Sequence, residues 1–152
     1  MPCTRRSSLA ATPELLRGDF DETIAEQSMK EFLRGEPSFD AIFAADDESA
    51  WGAMTTLRVA GRRVPEDVAV VGFDDVLLSH HLTPALTTVH APVQEAGRLA
   101  ATLLMEAIKQ QPRAAVHKVL LPAHLVARCS YGCSRPNSAT AAAPALLQRA
   151  AL

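Results

Sequence analysis

The sequence predicts an α/β fold, a parallel sheet flanked by helices. Two short apolar runs, 39–45 (FDAIFAA) and 68–73 (VAVVGF), read as buried strands, and each is followed at once by two aspartates, Asp46-Asp47 and Asp74-Asp75. Between them, residues 48–60 carry Ala50, Ala53, Met54 and Leu57 at helical spacing, on one face. Strand, helix, strand in that order is a βαβ unit with a right-handed crossover, so the strands run parallel. Ligands of such sheets gather at the carboxyl ends of the strands. Both acidic pairs are therefore expected at one binding edge.

Taken in order, residues 1–13 have no periodicity and form an irregular N-terminal segment. Residues 14–20 (ELLRGDF) suit a very short strand and a turn. A helix is expected over 21–33, with Ala25, Met29, Phe32 and Leu33 as its apolar stripe and Asp19 or Asp21 as its N-cap. Gly35 and Pro37 end it. Asp47 is expected to cap the helix at 48–60, and Gly61 to supply its left-handed stop. Residues 76–84 read as a loop, followed by an extended segment at 86–89. Pro92 suits the first position of a third helix, 92–110, striped by Ala96, Ala100, Leu103, Leu104 and Ala107, with Pro112 closing the region. Two short strands, 116–121 and 124–128, are expected around Pro122. From 131 to 152 the composition turns small-residue rich, and that tail is expected to be disordered apart from a weak helix near its end. The main folded unit is thus expected over 14–130.

Composition narrows the function. The net charge is −2, and the only adjacent basic pairs are Arg5-Arg6 and Arg62-Arg63, too little to neutralise a phosphate backbone, so no DNA binding is expected from this chain itself. No apolar run reaches the roughly 18 residues a membrane span needs. The opening MPCTRRSSLAA has basic residues but no apolar stretch after them, so it is not a secretory signal. Cys3, Cys129 and Cys133 make no disulfide framework and fit free thiols in a reducing cytoplasm. Cys129 and Cys133 have only His124 nearby, so no metal is expected. No catalytic constellation is evident: the aspartate pairs serve caps and ligand bonds more simply than acid–base chemistry. Ser49 has no base–acid partners, and no G-x-G-x-x-G occurs. Neither an enzyme nor a cofactor is expected.

Four stretches then have to be read together: GDFDE (18–22), FDAIFAADDESAWGAMTTLRVAGRRVPEDVAVVGFDD (39–75), LTPALTTVHAPVQEAGRLAATLLMEAI (82–108) and VLLPAHLVARCS (119–130). In this order and spacing they closely resemble the C-terminal part of the sensor core of the lactose-repressor/galactose-repressor family, over roughly residues 14–130. The resemblance implies a two-lobe core like that of periplasmic sugar-binding proteins, behind a small helix-turn-helix head. It implies that this chain supplies the second lobe, and that the helix at 92–110 normally packs on the first lobe. By that pattern, residues 1–13 are expected to hold neither the head nor the first lobe.

The function implied by the resemblance is the effector-sensing and dimerisation portion of a cytoplasmic transcriptional repressor. It would respond to a sugar or sugar derivative, form a homodimer, and reach DNA only through a head absent from this chain. Two other readings use the same residues: a freestanding sugar-binding or transport-associated protein, and an interaction or dominant-negative dimerisation fragment. Asp74 matches a family position that bonds a sugar hydroxyl, and such charge-assisted bonds are the stronger kind. Asp46 stands where the family usually has asparagine. A carboxylate only accepts, which favours sugar hydroxyls or a cationic group. Asp75 is a secondary candidate that fixes the following loop. Trp51 suits stacking on a sugar ring, a dimer surface or ordinary packing. Leu77, Leu78, His80, His81 and Leu82 resemble the family's interface loop, with solvent exposure the plainer reading of the histidines.

Overall fold

The structure, a computed structural model, describes residues 13–109 and 118–132. In chain order the elements are α1 (Glu22–Leu33), β1 (Ala41–Phe43), α2 (Asp47–Val59), β2 (Ala69–Asp74), α3 (Leu77–His81), β3 (Thr87–His90), α4 (Val93–Lys109) and β4 (His124–Val126). The four strands form one sheet in the order β1-β2-β3-β4. The first three are parallel, with Ile42 opposite Val70 and Gly72 opposite Thr88, while β4 runs antiparallel to β3.

Local chemistry sets the helix ends. Asp21 is extended (φ −139°), and its carboxylate accepts the Ile24 N–H, so α1 begins at an expected cap. Gly61 takes φ +73° after α2, as the expected left-handed stop. The two helices pack against each other at Gly52, where an added Cβ would overlap the Glu22 carbonyl oxygen and lie 3.1 Å from Ala25 Cβ. α2 lies on the sheet and α1 on α2, and Met29, Met54, Leu57, Val68, Val70 and Leu86 form the core. Ser130 fastens two strands from the far end of the chain: its Oγ donates to the Val70 carbonyl at 2.6 Å and accepts the Thr87 N–H at 2.8 Å.

Four expectations need correction. The run at 39–45 does not make a strand buried on both faces. β1 holds three residues at the sheet edge, with Ile42 half-buried and Phe43 70% exposed, because helices cover only one side of the sheet there. Residues 14–18 form no strand, although a turn follows at Asp19 and Phe20, both at positive φ. The stretch at 76–84 is not all loop: Leu77–His81 is a short helix whose Ser79 is fully buried. The strand expected at 116–121 is absent over 118–121, and only His124–Val126 of the next one pairs with β3. The expectations for residues 1–12, Pro112, 116–117, Cys133 and the rest of the tail fall outside the described residues.

α4 begins one residue after its expected start and runs to Lys109, the last described residue of that stretch, yet none of its residues is buried. Leu104, Met105 and Ile108 are each more than half exposed. No helix among the described residues is long and apolar enough to cross a membrane.

Candidate functional site at the carboxyl edge of the sheet

Because β1, β2 and β3 run parallel and in register, their carboxyl ends form one edge. Asp46 follows β1, Asp74 ends β2 with Asp75 next to it, and His90, paired in register with Asp74, ends β3. The acidic pairs are therefore brought together at a single edge, as the sequence predicts.

The four carboxylates there are held differently. Asp46 is extended (φ −152°) and caps α2: Oδ1 accepts the Ser49 N–H at 2.8 Å, and Oδ2 accepts the Ser49 hydroxyl at 2.7 Å. This corrects the assignment of Asp47 as the cap. Asp47 is already inside the first turn, and its side chain points beneath the edge. There Oδ1 accepts the Thr88 hydroxyl at 2.5 Å, and Oδ2 accepts the Val76 N–H at 3.0 Å. Burial pushes the Asp47 pKa up, and the hydrogen bonds from Thr88 and Val76 only partly offset it, with the charges of Asp74 and Asp75 adding to the rise.

Asp75 is tied into a polar cluster. Its Oδ1 accepts from Arg128 Nη2 at 2.5 Å, and its Oδ2 lies 3.0 Å from His90 Nδ1. Burial would raise its pKa, but the bonds from Arg128 and His90 and the Arg128 charge outweigh that, so the net shift is downward. Arg128 also donates to the Leu86 carbonyl at 2.7 Å, the Ser79 hydroxyl at 3.1 Å and His80 Nε2 at 2.8 Å. The rings of His90 and His124 lie 5.0 Å apart across the β3–β4 pair.

Asp74 differs from the other three. It is half-buried, takes φ +104°, and its carboxylate makes no hydrogen bond to any described residue. Beside Asp46, the turn at 18–20 closes against Ser49, where an added Cβ on Gly18 would come within 2.7 Å of Ser49 Oγ. Phe20 on that turn is 71% exposed.

Trp51 lies elsewhere. It lines an open groove of about 420 Å³ with Met54, Arg58, Arg62, Leu82 and Pro84, and neither Asp46 nor Asp74 reaches that groove. The structure thus joins Trp51 to Leu82, not to the acidic edge. Of the other residues expected at an interface, Leu77 is 76% exposed and His81 is exposed, Leu78 is half-buried, and His80 is drawn to Arg128. Sequence reasoning missed Arg128, Thr88 and Ser79; only the position of Arg128 beyond a short apolar run offered a signal. Cys129 is a free, exposed thiol. No three metal-ligating side chains converge among the described residues.

Replacing Asp46 with alanine removes two acceptors from the start of α2, and a loss of about 1 kcal/mol is expected in urea unfolding. Asp46→Asn keeps the acceptor for the Ser49 N–H and should cost only a fraction of that. An alanine variant as stable as the parent would mean that Asp46 does not cap.

Comparison with known proteins agrees with this arrangement. The periplasmic binding protein-like domain matches residues 3–131. The chain belongs to that family. Its relatives are LacI-family regulators. The transcriptional regulator CelR of Thermobifida fusca is 41% identical over 111 residues, 73% of this chain and 32% of that protein. The ribose operon repressor of Halalkalibacterium halodurans is 34% identical over 114 residues, 75% of this chain and 34% of that protein. Among solved structures, a CelR–cellobiose complex superposes with a TM-score of 0.69 at 42% identity, covering 74% of this chain and 34% of that one. A LacI-family regulator from Enterococcus faecalis with bound ribose gives a TM-score of 0.71 at 35% identity, covering 78% of this chain and 43% of that one. This periplasmic binding protein-like chain spans about a third of the length of the curated relatives it matches.

Proposed function

We propose that the chain is the effector-sensing portion of a DNA-binding transcriptional repressor, and that Asp74 contacts a sugar or sugar-derived effector at the carboxyl edge of the sheet. The observation that carries this is the Asp74 carboxylate itself. It is the one carboxylate of the edge that no described residue binds, and it stands at the edge where parallel sheets receive ligands. An ionised carboxylate accepts from paired sugar hydroxyls, which suits the sugars named in the CelR–cellobiose and ribose-bound structures. Phe20, 71% exposed on the turn whose Gly18 closes against Ser49, offers an apolar ring for a sugar's C–H face. DNA would be reached through a part of the protein other than this chain, whose charge does not suit phosphate contact.

The reading includes a homodimer. The groove at Trp51, Met54, Leu82 and Pro84 and the exposed Leu77 of α3 form the surface on which a second copy would sit. Effector control then requires that the ligand favour one arrangement of the dimer over the other.

Saturation-transfer difference NMR with cellobiose and ribose tests the site, since it reads weak binding to one wall of a cleft. Sugar signals are expected with the parent chain and should fall about tenfold or more in Asp74→Ala, the effect of one charge-assisted bond. Signals that survive the substitution, or no signal from either sugar, would sink the assignment of Asp74.

A further inference from the structure

We propose that Asp47 is a positioning residue for Asp74: it fixes the backbone that aims the Asp74 carboxylate, and it ties that aim to strand β3. The assignment rests on the reading of Asp74 as an effector contact. Asp47 is 1% exposed, a position that an ionisable side chain occupies only when it is well bonded. It is not needed to start the helix, because Asp46 already caps α2. Its two oxygens go instead to two different parts of the edge: the N–H of Val76, directly after Asp75, and the hydroxyl of Thr88 in the middle of β3. Space for the carboxylate exists because position 72 is glycine; a Cβ there would overlap Asp47 Oδ1.

The loop so anchored holds an unusual backbone. Asp74 takes φ +104° and Asp75 φ +57°, a region that residues with a Cβ rarely enter and keep only where their surroundings enforce it. Arg128 and His90 secure the Asp75 side chain from one side. The Asp74 side chain secures nothing, so its direction is set by its neighbours, and the bond from Val76 N–H to Asp47 closes the loop from the other side. Since the same carboxylate holds Thr88, a shift of β3 against β2 reaches the Asp74 loop through this buried group as well as through His90 at the strand's end. β3 leads within three residues into α4, the helix that leaves the sheet.

Hydrogen exchange and HN–Hα couplings, followed by NMR on the full chain, test this. In the parent, the Val76 amide should be protected although its residue is 37% exposed. In Asp47→Ala it should exchange about tenfold faster or more, the loss of one hydrogen bond, and the Asp74 and Asp75 couplings should move while amides within β2 and β3 stay protected. Asp47→Asn should keep both, because its amide oxygen still accepts from Val76 and its NH₂ donates to Thr88 Oγ1. An unprotected Val76 amide in the parent overturns the proposal without any variant, as do unchanged couplings in Asp47→Ala. None of these readouts contains a sugar, so failure here and failure of the Asp74 reading are separately visible.

Discussion

Arg128→Ala is expected to lose about 3–5 kcal/mol in urea unfolding at neutral pH, the cost of removing one partner from a buried ion pair. The Arg128 and Asp75 side chains are 10% and 13% exposed. Removing the guanidinium takes its charge and a bond from the Asp75 carboxylate, leaving it only the weaker hold of His90, and takes the Arg128 donor from the Leu86 carbonyl and the Ser79 hydroxyl. Set against a domain stability of about 5–15 kcal/mol, that is a large fraction. Arg128→Lys keeps a charge but not the fork that serves four acceptors, so it should fall between, at about 1–3 kcal/mol. The effect also has a pH signature. The Asp75 pKa is depressed in the folded chain, so its contribution is present above the ordinary carboxylate pKa of about 3.9 and is lost as the pH falls through the lower folded value. The stability difference between parent and Arg128→Ala should therefore shrink on acidification below about pH 4. A difference that stays constant from neutral pH to pH 3 would mean that the pair does not carry the effect.

Leu57→Ala should cost a similar amount, about 2–5 kcal/mol, by the same measurement. Leu57 is fully buried on the face of α2 that meets Met29, Val68, Val70 and Leu86. A cavity there opens between helix and sheet at once, and the surrounding side chains have little room to collapse into it. Val59, two residues on, points away from the sheet and is 78% exposed, so Val59→Ala should stay within about 0.5 kcal/mol. Equal effects from the two would show that α2 packs on a different face.

The contrast between these residues shows how much the sequence reveals. The spacing of Ala50, Ala53, Met54 and Leu57 identifies both α2 and its buried face, because helical periodicity is a local signal. The repeated strand–aspartate pattern is local too, and two parallel strands suffice to put its copies on one edge. The division of labour between Asp46 and Asp47 is not local. Either aspartate can cap a helix; the backbone at Asp46 decides which does, and the partner of the other, Thr88, lies 41 residues away. Arg128 and Asp75 are 53 residues apart, and nothing in either neighbourhood names the other. The short helix at Leu77–His81 is hidden for a related reason. Val76 gives it no side-chain cap, and its Ser79 is held in place by the remote Arg128. Strand β1 reads as buried on both faces because an apolar run records how many apolar residues are present, not how many layers cover them.

The unburied α4 bears on how any of these stabilities can be observed. A 17-residue helix in which no residue is buried is held mainly by its own backbone bonds, and such helices are marginal in water. It is not expected to melt together with the sheet. Far-ultraviolet ellipticity would then blend a gradual helix–coil drift with the cooperative loss of the sheet, and a single fitted midpoint would describe neither. Trp51, the sole tryptophan, sits on α2, half-buried in the groove with Met54 and Leu82, so its fluorescence follows the unit of α2 and the sheet and not α4. The gap between the two optical traces would measure how much of the molecule's helicity lies outside its cooperative unit.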